Sequence, residues 1–290
     1  MWLTALISLF LAAAGALIYG SFRWKAETHS MRAKLRALSS AAPPLSQDLE
    51  SLPEPVRRFL RVALPLNPPT VTAAKFSHSG TFNLSETMEK WVPFTSGQLV
   101  ITNPPGFDWD ARITMAPGMN AFVHDAYVDG AGTLAVKAFG LIPMVNIHGT
   151  PEIAQGELQR FLAESAWYPT SLFPRPGLRW DPVDAHSATA TLHDGVNTAA
   201  LTFHFSPRGL IDKVTAAARF RIVDGVASAT PWECLVWDYE LHDGMQIPTS
   251  GEVAWVLPDR RLPYWRARLT AIQFDFNSAC PNQRAGAVAA

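Results

Sequence analysis

Residues 156–174, GELQRFLAESAWYPTSLFP, constrain this fold most. Leu158, Phe161, Leu162 and Ser165 fall on one stripe at helical spacing. The stretch lies between two long tracts whose apolar residues recur with period two. A lone helix between two strand tracts has to bury its stripe on a sheet that both tracts build. Thr150 is placed to cap the helix and Pro151 suits its first position. The residue before Pro169 is biased away from the α region, so the helix is expected near 152–166. Glu157, Arg160 and Glu164 are spaced for ion pairing along it.

The first tract begins near Val71. In FDWDARI, Phe107, Trp109, Ala111 and Ile113 alternate with Asp108, Asp110 and Arg112, which predicts a half-buried strand. Asp129-Gly130 reads as a hairpin turn between strands at 120–127 and 132–139. With strands at 71–82 and 91–101, about six precede the helix by these signals. Beyond Trp180 strands are expected at 188–192, 199–205, 210–223, 232–241, 246–257 and 263–276. The expected fold class is mainly β: a large curved antiparallel sheet or half-barrel of some ten strands, with the central helix packed on its concave face.

Residues 2–19 carry no charged side chain. As a helix they span about 27 Å, the thickness of a bilayer core. A cleaved signal peptide normally opens with a positive segment, and no Lys or Arg precedes this run. A retained transmembrane helix is therefore expected. Residues 21–40 hold Arg23, Lys25, Arg32, Lys34 and Arg36 against Glu27 alone, which suits a basic juxtamembrane helix lying against anionic headgroups. The positive-inside bias then places the body in the cytoplasm, with the periplasm as the alternative. The expected domains are an anchor at 1–20, a juxtamembrane helix and linker at 21–50, one mainly-β body at 51–277, and a tail at 278–290. Within the body, 52–64 reads as a short helix whose Val56, Phe59 and Leu60 face inward. Its Arg57, Arg58 and Arg61 read as a wet face, or more sharply as a phosphate contact.

The net charge of −1 conceals a body of negative balance, which argues against a nucleic-acid partner. No zinc spacing, P-loop or G-x-S-x-G elbow occurs, and neither a metal site nor a cofactor is expected. The eight histidines are dispersed. Cys234 and Cys280 read as two buried or near-terminal thiols, able to pair only in an oxidising compartment. The pairs Asp108/Asp110, Asp238/Glu240, Arg219/Arg221 and Arg266/Arg268 read as solvated strand faces. A sharper expectation joins Asp110, Arg160 and Glu164 in a buried network inside the concave sheet.

Five motifs together, LPEPVRRFL, NPPGFDWDARI, DAYVDGAG, GELQRFLAESAWYPTSLFP and IPTSGEVAWVLPD, resemble a bacterial family of uncharacterised, membrane-anchored proteins over about residues 50–275. The resemblance implies architecture and location, and no activity. The implied architecture looks like the lipoprotein-carrier fold, a half-barrel whose helical lid holds acyl chains.

Ten tryptophans, an anchor and no catalytic signature lead to a non-catalytic binding protein. Its ligand would be a lipid or another hydrophobic molecule, held between sheet and helix by Trp91, Trp109, Tyr127, Arg160, Glu164, Trp167 and Tyr168. The competing readings are a hydrolase or isomerase acting on a lipid-like substrate, with Asp110, Arg160 or Glu164 in the cleft, and a structural or partner-binding membrane protein.

Overall fold

The alternation that marks FDWDARI recurs through a single antiparallel sheet of thirteen strands. The computed structural model describes residues 1–43, 45, 49–223 and 226–277. Cys280 and the tail from Ser278 lie outside the described residues, as does any pairing of Cys234 with Cys280. Six strands precede the central helix: β1 (Val71–Asn83), β2 (Trp91–Ile101), β3 (Gly106–Ala116), β4 (Met119–Val128), β5 (Ala131–Ala138) and β6 (Ile142–His148). Seven follow it: β7 (Leu178–Asp184), β8 (Ser187–Asp194), β9 (Asn197–Phe205), β10 (Ile211–Val223), β11 (Val226–His242), β12 (Met245–Val256) and β13 (Arg261–Phe276). The spatial order runs from β6 to β1, then β13 back to β7. Each tract is thus a meander of neighbours, and the β1–β13 pairing joins the two.

Among the described residues three α-helices, α1 (Trp2–Leu38), α2 (Glu54–Ala63) and α3 (Pro151–Ala163), accompany the sheet, and two short 3-10 turns, Glu164–Trp167 and Pro169–Leu172, continue α3. Thr150 caps α3, its hydroxyl accepting from the Ile153 N–H at 3.3 Å. Leu158, Phe161 and Leu162 are buried on the sheet, as the stripe requires. The helix lies against β3, β4 and β5 on one side and β9 and β10 on the other, so the sheet curls around it. Gly132 permits the close approach at the start of α3: a Cβ there would stand 2.6 Å from the Ile153 carbonyl carbon. Two hairpin tips meet across the curl, where Asn197 Nδ2 donates to the Gly130 carbonyl at 2.8 Å. The Asp129-Gly130 turn itself has positive φ at both residues, 57° and 75°, as a tight two-residue hairpin needs.

α2 plugs one end of the concave side with Val56, Phe59 and Leu60. Two of its arginines are answered locally: Arg57 pairs with Glu50 and Glu54, and Arg61 with Glu50 at 3.1 Å. Arg58 instead packs beside Gly209, with Nε and Nη2 buried and without a hydrogen-bond partner, so it does not belong to a wet face.

α1 is one uninterrupted helix. Its first half is apolar and exposed; its second half packs on the convex face of β2, β3 and β4. Trp24 and Leu35 are buried there, and Trp24 Nε1 donates to Asp110 Oδ1 at 2.7 Å. The Asp108/Asp110 pair is therefore covered by α1 and not solvated, and the 22–38 segment lies on protein as well as beside the bilayer-length run. Along this face α1 runs in one direction. Leu35 lies by Gly106 at the start of β3, and Gly20 lies by the β5–β6 turn, where a Cβ would stand 2.6 Å from the Phe139 carbonyl oxygen. The apolar run consequently leaves the body at the end of the sheet that carries the β1–β2, β3–β4, β5–β6, β10–β11 and β12–β13 connections.

Candidate functional site

Above α3, toward that same end, the concave face carries aromatic walls over a polar floor. The floor is built by alternation on adjacent strands. On β1 and β2 the cross-strand register sets Phe76 opposite Gln98, His78 opposite Ser96 and Phe82 opposite Val92, all on the concave face. Trp109 stands opposite Gln98 from β3, and Asp125 opposite Trp109 from β4.

α3 lowers Glu157, Arg160 and Glu164 onto these residues. Arg160 Nε donates to Glu164 Oε1 at 2.7 Å, and one terminal nitrogen donates to Asp125. Gln98 bridges by donating to the other Glu164 oxygen. The Arg160 guanidinium also lies 4.9 Å from the ring centres of both Phe107 and Trp109, a cation–π arrangement. Arg219 on β10 approaches Glu157 at 3.7 Å and covers the Trp232 ring at 5.1 Å. Arg219 and Arg221 thus point inward rather than forming a solvated face.

Three carboxylates face two guanidinium groups here. Burial, with Asp125 beside it, pushes the Glu157 carboxyl well above the ordinary carboxylate range. A neutral Glu157 can donate its proton to Asp125, and the remaining charges then balance: Asp125 and Glu164 against Arg160 and Arg219.

Several buried polar atoms on this face have no hydrogen-bond partner: both ring nitrogens of His78, the Ser96 hydroxyl and Trp109 Nε1. His78 is 3% exposed and packs 5.0 Å from the Trp167 ring and 5.9 Å from Trp265. Burial drops its pKa to about 3, so it is neutral, with one donor and one acceptor nitrogen.

The walls above the floor are Phe82, Val92, Met115, Trp255, Tyr264 and Trp265, all half-buried. They hold one another in place: Trp255 stacks on Tyr264 at 5.6 Å, and Trp232 Nε1 donates to the Tyr264 hydroxyl at 2.9 Å. Glu86, on the β1–β2 loop, reaches across to Arg221 at 3.1 Å. Phe94 lies 6.0 Å from both Trp109 and Trp265, so the walls close on one another. Below, the interface of α3 with the sheet is packed by Leu158, Phe161, Leu162 and Tyr168.

The residues expected to line a cleft distribute as follows. Trp109, Arg160 and Glu164 converge at the floor, and Trp167 sits beside His78 with its indole donating to the Pro248 carbonyl at 2.9 Å. Tyr168 is fully buried, its hydroxyl donating to the Phe161 carbonyl at 2.5 Å, so it belongs to the core beneath the helix. Tyr127 lies at the seam of the two hairpin tips, donating to Asp194 at 2.7 Å. Trp91 is on the opposite face, under the Arg266 guanidinium at 4.3 Å. Asp110 does not join Arg160 and Glu164; strand alternation carries it to the convex face, and Asp125 takes its place. His78, Ser96, Gln98 and Asp125 escape sequence reading, since only the register of four strands brings them together.

Elsewhere the sheet offers less. An open groove of about 380 Å³ on the convex face is lined by Ser79, Trp237, Glu252 and Arg266, and Arg266 and Arg268 are already paired there with Glu252 and Glu240. Among the described residues no three His, Cys, Asp or Glu converge to hold a metal ion.

A model of a family of unknown function, DUF6920, matches residues 50–274. No curated protein matches the sequence. Among solved structures, the chain is similar to a LolA superfamily protein from Nitrosomonas europaea, with a TM-score of 0.41 and 8% identity, over 77% of this chain and 93% of that one. It is also similar to a beta-barrel-like protein of a domain of unknown function, DUF1849, from Brucella abortus, with a TM-score of 0.16 and 12% identity, over 71% of this chain and 99% of that one. Both likenesses are distant.

Proposed function

The chain belongs to the DUF6920 family, and we propose that it is a membrane-anchored binding protein for a neutral amphiphile. The observation that carries this reading is a group of buried polar atoms without partners on the concave face. Half-buried aromatics packed against the core surround these donors and acceptors. Such groups are costly unless something hydrogen-bonds them. An apolar chain would lie among Phe82, Val92, Trp255 and Trp265. A hydroxyl or amide head would meet His78, Ser96 and Trp109. The charge-balanced floor favours an uncharged head, because a net charge would face burial without a counterion.

α1 is long and apolar enough to cross a membrane or to act as a signal sequence. Its unbroken continuation into a segment packed on the body supports a retained anchor. The basic residues after the apolar run favour a cytoplasmic body. A reporter fused after Ala290 tests that orientation, and activity found only on the periplasmic side would reverse it.

The binding reading is tested on the full-length protein in detergent micelles, with monooleoylglycerol brominated across its double bond as the probe. Bromine quenches indole fluorescence on contact. Saturable quenching in the wild type, lost in Val92→Asp, supports the site. Quenching that rises without saturation, equally in both proteins, rejects it.

A second reading has its own observation. Glu157, held neutral against Asp125, has the environment of a general acid. The proton-sharing pair would then act on the head of the same amphiphile. Turnover of a neutral lipid that vanishes in Glu157→Gln, with probe binding retained, would favour this enzyme over the binding protein.

A further inference from the structure

The far end of the β10–β11 hairpin stands outside the rest of the sheet. β10 pairs with β9 only as far as Thr215, opposite Thr202, and β11 pairs with β12 only from Trp232 onward. Between these limits the two strands pair with each other alone, from Arg219 opposite Thr230 to Val223 opposite Val226. A two-stranded ribbon is marginally stable in water unless one of its faces is covered.

Its two faces differ in kind. Arg219, Arg221 and Thr230 point into the concave side, where the arginines meet Glu157 and Glu86. The outer face presents Phe220, Ile222, Ala227 and Ala229, all exposed. Among the described residues no charged side chain interrupts it; Asp224 and Gly225, which join the two strands, lie outside the described residues.

The same end of the sheet carries the β5–β6 turn, which touches Gly20, the first residue beyond the bilayer-length apolar run of α1. Ile142 and Met144 begin β6 there with more than half of each side chain exposed. Arg221 of the ribbon meets Glu86 on the β1–β2 loop, and the β5–β6 turn meets α1 where its apolar run ends. The charges among the neighbouring turns are of both signs, Glu89, Lys90, Asp259 and Arg260, so an interaction at this end would rest on apolar contact and not on net charge.

We propose that the ribbon at the ends of β10 and β11, together with the β5–β6 turn, inserts into the lipid interface beside α1, forming a second membrane contact. Half-buried insertion covers the outer face of the ribbon and sets the aromatic mouth against the bilayer surface. The contact stands on the ribbon and the path of α1, whatever the mouth binds.

The test uses the full-length protein in phosphatidylcholine–phosphatidylglycerol vesicles, with both native cysteines changed to serine. Single cysteines at Ile222, Val226, Ile142 and Met144 carry an environment-sensitive fluorophore. Leu66 and Leu241, exposed at the opposite end of the sheet, serve as controls. The expected result is a blue-shifted emission at the four rim positions, quenched at least twofold by lipids bearing nitroxide near the headgroup, with the two controls unchanged. Emission at the rim matching the controls overturns the proposal. So does shielding that nitroxide lipid leaves unquenched and that disappears as protein is diluted into lipid, which is the signature of a second copy covering the ribbon. Failure of the protein to float with the vesicles overturns it as well. Four independent exposed positions guard against one variant that fails to fold.

Discussion

Arg32 of α1 donates through Nε to Asp108 Oδ2 at 2.8 Å, and Asp108 is wholly buried between that helix and the sheet. A second Arg32 donor takes the Gly97 carbonyl at 2.7 Å. Beside them, the Thr28 hydroxyl lies 3.0 Å from the Trp24 carbonyl and 2.7 Å from His124 Nε2. α1 is thereby held to the body by buried polar contacts.

Arg32→Ala strands the Asp108 carboxyl without its cation. Removing one partner of a buried pair costs about 3–5 kcal/mol, and the expected loss lies at the lower end because Arg32 is partly exposed. Asp108→Asn in the same chain should recover part of the loss, since no buried charge then remains. Urea unfolding midpoints of the four proteins in the double-mutant cycle measure both effects.

The floor network separates Glu157 from Arg160. Glu157→Gln keeps the shape and hydrogen-bonding capacity of the neutral acid, and should change stability by less than about 1 kcal/mol near neutral pH. Arg160→Met leaves Asp125 and Glu164 facing each other unneutralised and should cost about 3 kcal/mol or more. Folded-state pKa and stability are also linked at Glu157. Its raised folded value means that its contribution is full below the ordinary glutamate range and is lost as pH rises through the folded value. Wild type should therefore lose stability relative to Glu157→Gln as pH climbs, and an unchanged difference across the range would contradict a neutral Glu157.

His78 works in the opposite direction. Its folded pKa of about 3 lies below the ordinary value of 6.5, so above pH 6.5 it is neutral in both states and adds nothing pH-dependent. Between pH 6.5 and 3 the unfolded chain takes up the proton and the folded chain does not, and stability falls by up to about 1.4 kcal/mol per pH unit. His78→Phe should flatten the difference curve over that window in parallel thermal melts.

Cys234 lies among the same side chains, and burial pushes its thiol up to about 12. With little thiolate near neutrality, alkylation should run at least about a hundredfold slower than for an unfolded thiol. In a Cys280→Ser background, iodoacetamide labelling followed by mass spectrometry checks this. Rapid labelling of the folded protein would mean that the concave face opens freely.

Much of the fold was legible from local signals. The Asp129-Gly130 turn, the Thr150 cap with Pro151, and the alternation of Phe107 to Ile113 each report a short-range rule that tertiary structure did not override. The same alternation told which residues of β3 share a face, but not what covers each face. Asp108 and Asp110 looked solvated because strand alternation alone says nothing of a helix some seventy to ninety residues upstream in the chain. Tyr127, Tyr168 and Trp91 looked like pocket residues because aromatic type does not reveal which side of a curved sheet a ring will occupy.

The sequence by itself determined the apolar run of α1, the strand tracts and the stripe of α3, because each depends on periods of two or 3.6 residues within one segment. Tertiary structure alone decided that α1 packs on the convex face, that β1 pairs with β13, and that His78, Ser96, Trp109 and Asp125 meet beneath Arg160. Those outcomes depend on register between strands and on the curl of the whole sheet around α3. Segments far apart in the chain settle them together by competing for the same buried area.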